Sequence, residues 1–90
     1  MFEIEFRKEV IEADLPKIDI VWQKKIKQAI QSKLSAQPQL YGKPLRRSLK
    51  NYRKLRVGNY RIIFSIDGSI VKIFAIQHRS EVYKQSVKRL

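Results

Sequence analysis

The chain has 90 residues, 20 Lys and Arg against eight Asp and Glu, a formal charge of +12 and no cysteine. A chain this short buries only about 60–65% of its unfolded surface, so one core and a single domain over residues 1–90 are expected. Without cysteine there is no disulfide framework, thiolate metal site or cysteine nucleophile, and a 43% hydrophobic content excludes a disordered chain.

Phe2, Ile4 and Phe6 alternate with Glu3 and Glu5, the period of a strand with one buried face. A short helix is expected from Arg7 to about Asp14, broken near Pro16. Trp22, Ile26, Ala29, Ile30 and Leu34 then recur at helical spacing with Lys24, Lys25, Lys27 and Lys33 on other faces, an amphipathic helix closed before Pro38. Gln39–Asn51 reads as a basic loop. Three strands follow, Tyr52–Val57, Tyr60–Ile66 and Ser69–Ile76, with Gly58-Asn59 and Asp67-Gly68 as two-residue hairpin turns. A final helix runs from about Ser80, with Glu81 in its first turn and Lys88 and Arg89 in its last. The fold class is α+β: an N-terminal strand, two helices, an antiparallel sheet of about four strands and a short C-terminal helix. The longest apolar run, Ile73-Phe74-Ala75-Ile76, does not span a bilayer, and the acidic N-terminus does not read as a secretory leader. No membrane association and a cytoplasmic location are expected.

The turn at Gly58-Asn59 sets a register. Val57 faces Tyr60, Arg56 faces Arg61 and Leu55 faces Ile62. Since opposed residues share a sheet face, Leu55, Val57, Tyr60, Ile62, Phe64 and Ile66, with Val71, Ile73 and Ala75 of the next strand, are expected to form the core against the helices. Lys54, Arg56 and Arg61 then gather on the other face, beside Ile63, Lys72 and Phe74. Three clustered cations repel one another unless an anion sits among them, so this cluster is the candidate site.

The charge distribution agrees. Six of the eight acids (Glu3, Glu5, Glu9, Glu12, Asp14, Asp19) lie in the first nineteen residues, and Ile20 to Ile66 holds twelve basic residues and no acid. Such a field selects a polyanionic partner. No carboxylate or His cluster has metal-ligand spacing, so neither metal nor cofactor is expected; no phosphate-binding Gly loop or nucleophile elbow is present. Chemistry by Lys, Arg, Tyr or the single His78 suits a phosphodiester, whose developing charge cations stabilise.

The stretch Gly42-Lys43-Pro44-Leu45, Leu49, Tyr52, Lys54 to Phe64 and Ile76-Gln77-His78-Arg79-Ser80-Glu81-Val82-Tyr83 resembles the RelE family of the RelE/ParE toxin–antitoxin superfamily. The resemblance covers nearly the whole chain. It implies the toxin of a bacterial type II pair: a ribosome-dependent endoribonuclease, or mRNA interferase, that enters the A site and cleaves the codon by 2′-hydroxyl attack on the adjacent phosphate. By position, it implies catalytic roles for Lys54, Arg56, Arg61, Arg79 and Tyr83, with Tyr83 stacking on the substrate base. It also implies an acidic, RelB-like antitoxin, the ribosome and mRNA as partners, and operator DNA only through the antitoxin complex. Arg56 stands where efficient relatives can carry a second lysine; arginine keeps its proton, which leaves Lys54 as the possible base. Lys43, Arg46, Arg47, Lys50 and Arg53 are assigned to RNA or ribosome phosphates.

Several readings stay open at this point. Tyr83 shares a helical face with Val87 and Leu90, so a core role competes with stacking. His78 reads as a turn residue. Beside the endoribonuclease stand a ParE-like DNA gyrase poison and an inactive basic nucleic-acid-binding module.

Overall fold

The computed structural model describes residues 1–46 and 49–90. Alternation in the first segment makes β1 (Glu3–Phe6), with Ile4 and Phe6 turned inward and Glu3 and Glu5 exposed. A π-helical turn over Val10–Asp14 and a 3-10 turn over Leu15–Lys17, which holds Pro16, carry the chain to α1 (Ile20–Ala29). Asp19 caps α1 by accepting from the Val21 amide, 3.2 Å, satisfying an amide that no helical carbonyl reaches. The helix continues as a π-helical turn, Ile30–Leu34, so that Ile26, Ile30 and Leu34 are buried on one stripe.

Among the described residues, five strands form one sheet in the order β1-β5-β4-β3-β2. Within it, β2 (Lys43–Pro44), β3 (Arg53–Val57), β4 (Tyr60–Asp67) and β5 (Ile70–His78) are antiparallel neighbours, while β1 pairs in parallel with β5. The α+β reading holds, and two details are added. The stretch expected as loop contains β2, and the N-terminal strand joins the sheet at its far edge. α2 (Val82–Arg89) closes the fold. Among the described residues, no helix is long and apolar enough to cross a membrane.

The hairpin register is the expected one, with Val57 opposite Tyr60, Arg56 opposite Arg61 and Leu55 opposite Ile62. One sheet face carries Leu55, Ile62, Phe64, Val71, Ile73 and Ile76 against Val10, Ile18, Ile26, Ile30 and Leu34. Ala75, expected with this group, lies on the second face with Ile63, Phe74, Leu49 and Val82. The cause is a bulge. Ile63 pairs with Ala75 but Phe64 pairs with Ile73, which leaves Phe74 as the extra residue of β5. An inserted residue inverts the alternation beyond it, so Ile76 takes the core position that unbroken alternation assigns to Ala75.

Candidate functional site

The β3–β4 turn organises the second face. Gly58 has φ +57°, and a Cβ there would lie 2.5 Å from the Trp22 ring. A side chain at this position is strained and also collides, so glycine lets α1 press Trp22 onto the turn. Trp22 in turn meets Tyr60 at 5.7 Å between ring centroids, Tyr60 meets the His78 ring edge-on at 5.9 Å, and the Lys25 ammonium lies over Trp22 at 4.6 Å. Trp22 is half-buried, a brace for the hairpin rather than a member of the central core.

Arg56 and Arg61 are direct cross-strand partners, and Lys54 is paired with Ile63, one diagonal step from Arg61. Such diagonal neighbours lie within about 7–8 Å, in reach of long side chains. Lys43 of β2 pairs with Lys54 and so adds a fourth cation to this face. The repulsion among them is relieved by acceptors that carry no net charge. Arg61 is 8% exposed, and its Nη1 donates to the carbonyls of Gly58 (2.9 Å) and Tyr60 (3.0 Å). The Lys54 ammonium lies over the Tyr83 ring at 5.6 Å, a distance at which the ring quadrupole attracts a cation. Arg56 is exposed. Carbonyl dipoles and an aromatic face orient the charges without cancelling them, so the cluster keeps its field for an anion.

Tyr83 is 41% exposed, as are Val87 and Leu90 at 50% and 57%, so the helical face that these residues share looks outward and is not core. Arg79 is exposed; its backbone N–H donates to the Asn59 carbonyl (2.8 Å), which fastens the β5–α2 connection to the tip of the β3–β4 hairpin. His78 is the last residue of β5, opposite Tyr60, rather than a turn residue; its Nδ1 accepts from the Ser80 amide (3.2 Å) and lies 2.9 Å from Ser80 Oγ, so its side chain braces the turn that follows.

The remaining basic residues separate. Arg46 and Lys50 are exposed on the connection whose Leu45, Leu49 and Tyr52 pack on the second face. Arg53 pairs with Phe64, on the opposite face from Lys54, and its Nη1 donates to the Gly42 carbonyl (3.3 Å). Arg47 lies outside the described residues. Among those residues, no cluster of His, Asp and Glu could hold a metal ion.

One buried constellation is absent from the sequence reading. Asp14 is 3% exposed and accepts from Arg89 Nη1 (2.7 Å) and Nη2 (2.5 Å), from the Ile76 amide (2.9 Å) and from Gln77 Nε2 (2.8 Å). Its hydrogen bonds to the Arg89 guanidinium hold that group above its usual pKa, against the opposing effect of burial. The available signal is the spacing Val10, Asp14, Ile18, which puts an acid on a buried helical stripe.

Comparisons with known proteins agree with this architecture. Over 87% of this chain and 98% of theirs, it superposes with TM-score 0.80 and 30% identity on the toxin–antitoxin complex RelBE2 of Mycobacterium tuberculosis. A double mutant of the free Escherichia coli toxin RelE shares the fold with TM-score 0.75 and 19% identity, covering 99% of this chain and 97% of that one. Among curated proteins, Toxin RelG of Mycobacterium tuberculosis is 39% identical over 54 residues, 58% of this chain and 62% of RelG, so the matched region spans less than two thirds of that relative. The family model described as the ParE toxin of the type II toxin–antitoxin system, parDE, matches residues 4–83, and the chain belongs to that family, within the RelE/ParE superfamily of toxins.

Proposed function

We propose that this toxin is a ribosome-dependent mRNA endoribonuclease, held in check by an acidic antitoxin. The observation that carries the reading is the second sheet face: Lys54, Arg56 and Arg61 in adjacent register with the exposed Tyr83 ring beside Lys54. Lys54, as the neutral amine, takes the proton of a 2′-hydroxyl; the 2′ oxygen bonds to the adjacent phosphorus as the bond to the next nucleotide's 5′ oxygen breaks, and that oxygen takes up a proton from water. Arg61 and Arg56 stabilise the charge that builds on the phosphoryl oxygens, while Tyr83 stacks on a substrate base. Arg79 stands at the same end of the sheet, through its bond to Asn59. Lys43, Arg46 and Lys50 meet ribosomal RNA phosphates as the toxin docks. One solved relative is a toxin–antitoxin complex, and a +12 surface suits an acidic partner with fast, salt-sensitive association.

Primer extension on mRNA from a reconstituted translation reaction tests this. New 5′ ends within the A-site codon, dependent on ribosomes, are expected. The ParE name of the matching family model favours a second reading, a gyrase poison; intact mRNA together with inhibited DNA supercoiling selects it.

A further inference from the structure

β1 covers the edge of β5 only as far as Ile73, whose carbonyl accepts from the Arg7 amide (3.0 Å). Beyond that point the Phe74 carbonyl and the Ile76 amide lie on an edge with no strand beside it. Asp14 and Arg89 take the place of one: Asp14 accepts from Ile76 (2.9 Å) and Arg89 donates to Phe74 (3.1 Å) while the two side chains grip each other in a fork. The same fork holds the last turn of α2. On this side the fork is joined by one weaker contact, from Arg7 Nη2 to the Arg89 carbonyl (3.5 Å). Val82 and Ser86 are buried beneath it, but the flank bearing Glu81, Gln85 and Arg89 borders a cleft of about 380 Å³ that also reaches Asp14 and His78. Packing across a cleft leaves a helix free to roll, and Tyr83 lies on the flank opposite Gln85, about 200° around the axis.

We infer that Asp14 and Arg89 are positioning residues, whose forked ion pair fixes the rotation of α2 that puts the Tyr83 ring over the Lys54 ammonium and so governs how Tyr83 meets a substrate base. The pair lies at the β5 edge, away from the cations it serves. The catalytic consequence rests on the endoribonuclease reading; the seating of the ring does not.

The test uses the full chain as Arg89→Lys, Arg89→Gln and the charge-free pair Asp14→Asn with Arg89→Gln, each studied where circular dichroism shows a folded protein. One readout is independent of catalysis: the nuclear Overhauser contact between the Tyr83 ring and the Lys54 side chain. The other is cleavage, with kcat and KM resolved, in the parent and in a Tyr83→Ala background. Arg89→Gln should lose the contact and cut cleavage about ten- to a hundredfold, the range spanned by one stacking aromatic. In the Tyr83→Ala background it should change cleavage by less than about twofold, the mark of two residues acting through one step. Arg89→Lys, which keeps the charge but not the fork, should fall between. If Arg89→Gln does not fold, the charge-free pair carries the same expectations. A retained contact with parental cleavage overturns the inference, and so do equal losses in both backgrounds. A parent protein that cleaves nothing overturns the endoribonuclease reading alone, since the Overhauser contact still decides the clamp.

Discussion

Two largely enclosed arginines of this toxin are held in opposite ways. Arg89, 12% exposed in its side chain, is forked onto a carboxylate that is itself almost fully buried. Arg61, 8% exposed, is held by the carbonyls of Gly58 and Tyr60. A carboxylate cancels the charge it binds, and the pair becomes a structural fastening. Carbonyls supply only partial charge, so they fix where the guanidinium points and leave its positive field intact. The residue type is the same in both places. The acceptor decides whether it is neutralised as a fastening or keeps a field open to an anion, and the contrast predicts which property each substitution damages.

The largest expected effect falls on the fastening side. Asp14→Ala strands the Arg89 charge and the Ile76 amide, and breaking a buried pair from one side costs about 3–5 kcal/mol. Urea denaturation followed by circular dichroism should show that loss; a change under about 1 kcal/mol would mean that water replaces the carboxylate and that the fastening is weak. On the open-field side, Arg61→Ala should cost about 1 kcal/mol or less of stability, since the freed Gly58 carbonyl sits in an exposed turn. Its cleavage rate should fall by about 10²–10³, the equivalent of roughly 2–4 kcal/mol of lost transition-state stabilisation. Single-turnover cleavage at the parent rate would remove Arg61 from the site.

Gly58 joins the two regions, because its carbonyl holds Arg61 and its missing side chain admits Trp22. Gly58→Ala should lower stability by about 1–3 kcal/mol, the cost of a strained left-handed residue, and should slow cleavage as the Arg61 seat shifts. Thermal melts and cleavage assays on one preparation sharpen the comparison: loss of stability with unchanged cleavage would show that Arg61 does not need its carbonyls.

Much of this was legible in the sequence where local chemistry sets geometry. The turn pair Gly58-Asn59 fixes a register, and that register places Arg56 opposite Arg61 and puts Lys54 on their face. What depends on distant partners was not legible. The bulge at Phe74 inverts Ala75 and Ile76, and no turn residue announces it. The parallel pairing of β1 with β5 joins segments that only the completed fold brings together. Arg53 reads from the sequence as a contact to ribosomal phosphates, and its bond to the Gly42 carbonyl on the face opposite Lys54 depends on the folded approach of that residue. Asp14 reads as an ordinary helix acid, because its partner Arg89 lies 75 positions away.

A smaller effect separates the ring of Tyr83 from its hydroxyl. Stacking requires only the ring, so Tyr83→Phe should keep most activity, while Tyr83→Ala should lose about 1–3 kcal/mol of base contact. Because the residue is 41% exposed, neither change should shift the melting temperature much. An early-melting Tyr83→Ala protein that cleaves normally in the cold would return the residue to a structural role.

The contrast between the two arginines can be observed without ribosomes. A 2′-O-methyl trinucleotide lacks the attacking hydroxyl, so it binds without being cut and presents phosphates to the cationic face. Titrated into the ¹⁵N-labelled toxin, it should shift the side-chain Nε–H resonance of Arg61 progressively and leave that of Arg89 in place, because Arg61 keeps a free field and Arg89 is already neutralised. Movement of the Arg89 signal with a stationary Arg61 would contradict the account, since the buried ion pair would then be the anion site and the carbonyl-held arginine the scaffold.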